Sequence, residues 1–229
     1  MTAVRAIVQA STCLLLDFDG PVCSLFSDPT DRAAVAERGA ELPEPLPGEL
    51  RDANDPFAVL RYAATVYGDS VMAGLERRFT EFELAAVRGA EPTPSADEVI
   101  RSAATNSRMV AVVGNNSPAA IDAYLTQHGL RPFVSGIFGR TAVNLMKLKP
   151  APFLLEEAAG RLAGHPGDCV FVGDSITDLE AAHASRVPVV AFANKPGEAD
   201  HLARHRPAAV IHDMAELLPA HRRSGILLE

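Results

Sequence analysis

The chain has 229 residues, of which 48% are hydrophobic and 22% are charged, and its formal net charge is −8. No apolar run approaches the roughly 20 residues of a membrane-spanning helix, and the negative charge disfavours nucleic-acid binding, which depends on basic side chains that neutralise phosphates. We therefore expect one domain of ordinary size, or one with a smaller insertion, in a cytoplasmic protein that binds neither nucleic acid nor a membrane.

Short segments rich in apolar and β-branched residues recur along the chain and predict strands. In the second half of the chain, helix signals lie between the predicted strands. These signals are a proline in the first turn of a helix or a glycine just after its last turn. Strands that alternate with helices predict an α/β fold with a Rossmann-like parallel sheet core and helices on both faces. The predicted strands are Thr12–Phe18, Met109–Gly114, Phe133–Phe138, Cys169–Gly173, Val187–Ala193 and Ala208–Ile211, and the predicted helices are Ser117–Gly129, Pro152–Gly164 and Ile176–Ser185.

The first two predicted strands are separated by about ninety residues, far more than an ordinary crossover needs. We predict that residues 23–90 form a small α-helical cap domain, inserted into a core of residues 1–22 and 91–229. A short helix is expected over Pro29–Arg38. Apolar residues at helical spacing predict two longer helices that pack on each other, one with Phe57, Leu60, Ala64 and Tyr67, the other with Val71, Leu75, Phe79, Phe82 and Ala86.

Two carboxylates follow the first predicted strand, in the stretch LLLDFDGPV. An unpaired carboxylate is costly to bury, so a partner must compensate Asp17 and Asp19 at the end of this apolar run. The alternation of an extended chain places both on the same side, with Phe18 facing away, and Gly20 allows a sharp turn after them. A hard cation would suit this layout, although an ordinary surface turn after a strand has the same residue types.

Other groups able to do chemistry also lie where predicted strands end or helices begin. Open parallel α/β sheets bind ligands at the carboxyl ends of their strands, so we expect these groups to converge on the two acids. They are Gly114 and Asn115 after the second strand, Lys149 before Pro150, and Asp174 and Asp178 after Cys169–Gly173.

Each of these groups also has a structural interpretation. Asp174 and Asp178 stand where a helix begins, a position that favours acids as caps. Lys147 is two residues from Lys149 and is the alternative lysine. Ser117 before Pro118 has the form of a helix N-cap, and we favour that role over a phosphate contact.

Three segments in order, DFDG at 17–20, KPAP at 149–152 and GDSITD at 173–178, resemble motifs of the haloacid dehalogenase-like hydrolase superfamily. The match spans nearly the whole chain and is to phosphoglycolate phosphatase-like members with a helical cap after the first strand. The resemblance implies that Asp17 is the nucleophile, Asp19 the general acid/base, and Lys149 the partner of phosphate and carboxylate. It also implies that Asp174 and Asp178 are the acids on the magnesium side.

Phosphoryl transfer explains these residue types, because an anionic phosphate is attacked by an anionic carboxylate and the charge must be neutralised. Mg²⁺ takes hard oxygen ligands and keeps several waters. We expect its protein ligands to be Asp17, Asp174 and the backbone carbonyl of Asp19, with Asp178 alongside. Backbone N–H groups from Phe18 to Gly20 are expected to hold phosphate oxygens.

One position departs from the family pattern. The family usually has Ser or Thr at the end of the second strand, where the hydroxyl binds a phosphoryl oxygen, whereas this chain has Gly114 followed by Asn115. We expect the phosphate donor to be either the side-chain amide of Asn115 or the backbone N–H of Gly114.

These observations favour a Mg²⁺-dependent phosphatase of a small phosphorylated metabolite, working through a phosphoaspartate at Asp17 as a monomer or homodimer. Asp19 argues against haloacid dehalogenation, because family members with that activity lack the second acid. A phosphomutase of the family would keep both acids. The alternative of a different class is a non-catalytic protein that binds a phospholigand or regulates a partner, and turnover would separate it from an enzyme.

Overall fold

The computed structural model describes residues 3–26, 47–48, 50 and 56–219. The helix predicted over Pro29–Arg38 lies outside the described residues. Within them, the strands in chain order are β1 (Cys13–Leu16), β2 (Cys23–Ser24), β3 (Glu91–Pro92), β4 (Met109–Val113), β5 (Gly136–Phe138), β6 (Cys169–Gly173), β7 (Val189–Phe192) and β8 (Ala209–Ile211). The α-helices are α1 (Ala3–Ala10), α2 (Pro56–Val66), α3 (Asp69–Val87), α4 (Ala96–Thr105), α5 (Pro118–Gln127), α6 (Phe153–Leu162), α7 (Ile176–Ser185) and α8 (Glu198–Ala203).

Six strands form one parallel sheet in the order β5-β4-β1-β6-β7-β8. All four residues of β1 are buried, as expected of a strand covered by helices on both faces. The predicted α/β class with a Rossmann-like core is therefore confirmed. Sequence patterns did not predict α1, α4 and α8.

The order of the strands changes direction at β1, since β4 and β5 lie on one side of it and β6, β7 and β8 lie on the other. Such a point creates a crevice beyond the carboxyl ends of the strands, where ligands bind in open α/β sheets. The fold thus places the end of β1 at the centre of the predicted site.

The segment predicted as a cap leaves and rejoins the core at adjacent points. Cys23 of β2 pairs with Pro92 of β3 in a short antiparallel sheet, so the two ends of the segment lie side by side. Helices α2 and α3 lie between these ends and contact each other, as predicted. The division into core and cap stays a prediction.

Helix α3 buries a row that shares Leu75 and Phe79 with the predicted one, whereas Val71, Phe82 and Ala86 are only partly buried against the core. Its buried row contains Met72, Leu75, Phe79, Glu83 and Val87, and α3 packs against α5 of the core as well as against α2. The expectation of helices that pack mainly on each other was therefore incomplete. An acid, Glu83, lies in the row that faces the core.

The described helices include none long and apolar enough to cross a membrane.

Candidate active site

The ends of three neighbouring strands bring the predicted residues together. Leu16, the last residue of β1, is in register with Val112 of β4 on one side and Val172 of β6 on the other. Asp17 follows β1 directly, and Asp174 follows the last residue of β6. Parallel register therefore determines that the two acids share one edge of the sheet.

Lys149 lies between two of the acids and is itself buried. Its Nζ is 2.7 Å from Oδ1 of Asp17 and also contacts Oδ1 of Asp178. Burial acts to lower the pKa of Lys149, but the two carboxylates together raise it above the ordinary lysine value. Lys149 therefore carries its positive charge at neutral pH, and the predicted choice of Lys149 over Lys147 agrees with this geometry.

Asp178 contacts Lys149 and also caps a helix. One carboxylate oxygen contacts Lys149, and the other accepts hydrogen bonds from the N–H of Ser175 at 3.0 Å and from its hydroxyl at 2.7 Å. Ser175 and Asp178 form a capping box at the start of α7. The cap interpretation of Asp178 is therefore confirmed, and its role beside a metal stays a prediction.

Three carboxylates form a candidate cation site. Oxygen atoms of Asp17, Asp174 and Asp178 all lie within 4.8 Å of one another. Burial, together with the charges of Asp178 and Asp19, raises the pKa of Asp174 to about 7, although Lys195 and the hydrogen bond from Asn194 oppose the rise. Burial also raises the pKa of Asp17 well above its ordinary value, and Asp178 adds to this rise while Lys149 opposes it. Crowded hard oxygens with one lysine among them fit a divalent cation such as Mg²⁺.

Asn194 is a site residue that the sequence analysis missed. Its side-chain amide donates to Oδ2 of Asp174 at 3.1 Å and so orients that carboxylate. The available signal was its position, directly after the predicted strand Val187–Ala193 and on the same edge of the sheet.

Asp19 faces a cleft next to these acids. Its Oδ1 accepts a hydrogen bond from the N–H of Leu25 at 2.9 Å, which orients the carboxylate. Asp19 and Asp174 line a cleft of about 650 Å³, together with Thr93, Lys195 and His212 among others. Asp19 therefore borders space that can hold the group attached to a phosphate.

Two backbone N–H groups of the turn after β1 donate hydrogen bonds within the protein. The N–H of Phe18 donates to Oδ1 of Asp17 at 2.8 Å, and the N–H of Gly20 donates to the carbonyl of Cys23 at 2.7 Å. In this structure both N–H groups therefore have protein partners, and their role in holding phosphate oxygens stays a prediction. Gly20 also allows close approach to Asp174, at a φ of +112° that favours glycine.

Both candidate phosphate donors at the end of β4 have protein partners. The N–H of Gly114 donates to the carbonyl of Phe138 at 3.0 Å, and its role as a phosphate donor stays a prediction. The side chain of Asn115 bonds the backbone of Lys149 twice, accepting from its N–H at 2.9 Å and donating to its carbonyl at 3.1 Å. Asn115 as a phosphate ligand stays a prediction. Ser117 accepts from the N–H of Ala120, and its predicted role as an N-cap is confirmed.

A buried ion pair lies behind this loop and was also missed. Arg140 follows β5 with 0% of its surface exposed, and it pairs with Glu83 of α3, which is 1% exposed. Periodicity alone could have flagged Glu83, because it lies four residues after Phe79 and four before Val87 in the buried row.

Comparison with known proteins agrees with this geometry. Residues 13–186 match the family model described as haloacid dehalogenase-like hydrolase. The phosphoglycolate phosphatase of Yersinia pseudotuberculosis is 26% identical over 162 residues, which are 70% of this chain and 69% of that protein. A bifunctional riboflavin kinase/FMN phosphatase of Arabidopsis thaliana is 34% identical over 104 residues, 45% of this chain and 27% of the plant protein.

Solved structures share the fold. A predicted phosphatase from Clostridium acetobutylicum superposes with a TM-score of 0.70 at 14% identity, covering 90% of this chain and 96% of that one. A predicted phosphoglycolate phosphatase from Haemophilus somnus gives 0.65 at 20% identity, covering 91% and 96%. The chain therefore belongs to the haloacid dehalogenase-like hydrolase family, and it is a phosphatase of that family.

Proposed function

We propose that the chain hydrolyses a small phosphorylated metabolite in a Mg²⁺-dependent reaction, with a phosphoaspartate formed on Asp17. The observation that carries this proposal is the contact of Asp17 with Lys149, beside a cleft that Asp19 and Asp174 line. A carboxylate oriented by a buried ammonium group, with a second carboxylate facing the leaving-group side, is the arrangement that nucleophilic phosphoryl transfer requires.

The metal would be held by Asp17, Asp174 and the backbone carbonyl of Asp19, with Asp178 alongside. When bound, it would supply positive charge against the phosphate oxygens. Lys149 supplies the protein's own positive charge, because the two carboxylates beside it keep it protonated. Neutralisation from both sources allows the anionic nucleophile to approach the anionic substrate.

In the first step a carboxylate oxygen of Asp17 attacks phosphorus, and the bond between phosphorus and the leaving oxygen breaks. Asp19 donates its proton to that oxygen as it departs. In the second step water attacks the phosphorus of the phosphoaspartate, while the carboxylate of Asp19 accepts a proton from the water. Inorganic phosphate leaves, Asp17 is regenerated, and Asp19 is again protonated.

Release of phosphate from a panel of phosphomonoesters tests the proposal. The panel includes 2-phosphoglycolate and FMN, the substrates in the relatives' names, and each compound is assayed with Mg²⁺ and with EDTA. We expect turnover with Mg²⁺, none with EDTA, and a phosphoryl group on the peptide that contains Asp17, detected by mass spectrometry. Isomerised product without phosphate release would indicate a phosphomutase instead.

The Asp17→Asn variant identifies the nucleophile. An amide does not attack phosphorus, so a folded variant should lose turnover and the phosphoryl adduct. Asp200→Asn is the matched control, because it makes the same change at an exposed position of α8. Turnover retained by a folded Asp17→Asn variant would refute the proposed role of Asp17.

A further inference from the structure

Glu83 and Arg140 form a buried, two-point ion pair between the segment 23–90 and the core. Arg140 Nη1 donates to Oε1 of Glu83 at 2.8 Å, and Nη2 donates to Oε2 at 3.0 Å. Removal of two charges from water costs free energy that their attraction often fails to recover, so such a pair is weak evidence of a stabilising role. The geometry around the pair indicates another use.

Both members of the pair also bond the loop that follows β4. Arg140 donates through Nη1 to the carbonyl of Asn115 at 3.1 Å. Glu83 accepts from the N–H of Ser117 at 2.9 Å and from the side-chain amide of Asn116 at 3.2 Å. The two charged groups therefore hold three consecutive residues of this loop, in a buried environment where hydrogen bonds to charged groups are strong.

The loop in turn holds Lys149. The side-chain amide of Asn115 makes two hydrogen bonds with the backbone of Lys149, to its N–H and to its carbonyl. The same carbonyl lies 3.4 Å from Nη1 of Arg61, which donates to it from α2. From this backbone position the side chain of Lys149 reaches Asp17. A continuous series of contacts thus leads from α3 to the candidate nucleophile.

We infer that Glu83 and Arg140 are positioning residues that place Lys149 against Asp17 through the loop at Asn115. This inference rests on the proposed function. It also gives the segment 23–90 a part in the site besides any contact with substrate, because correct packing of α3 on the core is needed for correct placement of the lysine. Groups of this kind act by holding catalytic side chains within a narrow range of geometry.

The test replaces the whole pair, as Glu83→Leu with Arg140→Met, because removal of one partner would leave an unpaired buried charge. The matched control is Asp122→Leu with Arg131→Met, which removes an ion pair whose side chains are 53% and 44% exposed. Folding of each variant is checked by thermal unfolding. Glu83→Gln with Arg140→Met, which also removes both charges but keeps the shape of the Glu83 side chain, is used if the first double replacement does not fold.

For the folded variant we expect kcat with p-nitrophenyl phosphate to fall by about 10- to 100-fold, the usual range for groups that support a catalytic residue. The affinity for orthovanadate with Mg²⁺, measured by calorimetry, should fall with it, while the control changes neither. In an Asn115→Ala background the same double replacement should lower kcat by no more than about twofold, since the connection to Lys149 is already broken.

A folded variant with unchanged kcat and unchanged vanadate affinity would overturn the inference. An equally large loss in the Asn115→Ala background would do the same, because it would show an effect that does not pass through Asn115. If the unmodified protein binds vanadate but turns over no phosphomonoester, the proposed function fails, and the vanadate affinities still decide whether the pair positions Lys149.

Discussion

Gly20 and Asp174 approach so closely that a Cβ atom on Gly20 would stand 2.3 Å from Oδ2 of Asp174. No real Cβ atom sits that near a carboxylate oxygen, so any other residue at position 20 would displace this acid. The turn after β1 and the candidate metal ligand after β6 therefore depend on each other.

Gly20→Ala should weaken the activation of the protein by Mg²⁺ and lower its activity, because the added methyl group displaces Asp174. We expect a loss in kcat/KM of about tenfold or more and a shift of half-activation to higher Mg²⁺. The left-handed backbone should also cost about 1–3 kcal/mol of stability.

Gly164→Ala is the control for that backbone cost, since Gly164 has a φ of +79° with nothing within 4 Å of the added Cβ. It should lose stability without a change in half-activation by Mg²⁺. Equal Mg²⁺ dependence in the two variants would refute the contact with Asp174 as the cause.

The metal-free protein should become less stable as the pH rises from about 4 to 7. Because burial and neighbouring acids raise the pKa of Asp174 to about 7 in the folded state, the folded chain holds this proton at a pH where the unfolded chain has lost it. Stability from this proton is therefore present at low pH and is lost as the pH passes through the folded pKa. Thermal unfolding with EDTA should give a higher Tm at pH 5 than at pH 8.

Asp174→Asn should reduce this fall in Tm and raise the Tm of the metal-free protein at pH 8, since an amide carries no charge to crowd Asp178 and Asp19. Added Mg²⁺ should stabilise the unmodified protein at pH 8 more than the variant. Asp200→Asn, at an exposed site, is the control. If Asp174→Asn shows the same pH dependence of Tm as this control and the unmodified protein, Asp174 is not the source of that dependence.

Gly114→Ala should lower kcat, because the new Cβ would lie 3.0 Å from Oδ1 of Asp17 and 3.3 Å from Cβ of Phe18. That oxygen is already held by Lys149 and by the N–H of Phe18, so it has little freedom to move. Gly114→Ser should lose less, because its hydroxyl can donate to a phosphate or to the shifted carboxylate. Steady-state kinetics on both variants decide the point, and full activity in Gly114→Ala would show that the site tolerates the methyl group.

Asp19→Asn should slow hydrolysis of alkyl phosphates far more than hydrolysis of p-nitrophenyl phosphate, because nitrophenolate departs without needing a proton. Asparagine can still accept the hydrogen bond from the N–H of Leu25, so the side chain should keep its orientation. The measurement is the ratio of kcat/KM for the two substrate types, with the phosphoryl adduct followed by mass spectrometry. The same fractional loss for both types would contradict the general-acid role.

Much of this protein follows from its sequence because the relevant signals are local. The apolar run of β1 and the alternation of strands and helices predict a parallel sheet, and a parallel sheet places Asp17 and Asp174 at one edge. The N-cap of α5 could also be predicted, since the hydroxyl of Ser117 accepts a hydrogen bond from an N–H only three residues ahead.

The direction of each donor was decided only by the tertiary structure. The N–H of Gly20 donates to the carbonyl of Cys23 and that of Gly114 to the carbonyl of Phe138, partners that the residue types do not predict. Asn115 faces a backbone that lies 34 residues further along the chain. Residue type indicates that a group can donate, but its partner depends on how the strands and loops pack.

The burial of Glu83 and Arg140 is the clearest case of this difference. A charged residue in a helix is ordinarily expected at the surface, because isolated charges are too costly to bury. Glu83 becomes acceptable in the buried row of α3 only when Arg140, 57 residues away, supplies the opposite charge. The sequence alone determined the sheet and the acids at its edge, whereas only the folded chain could bring together the pair that holds the loop behind Lys149.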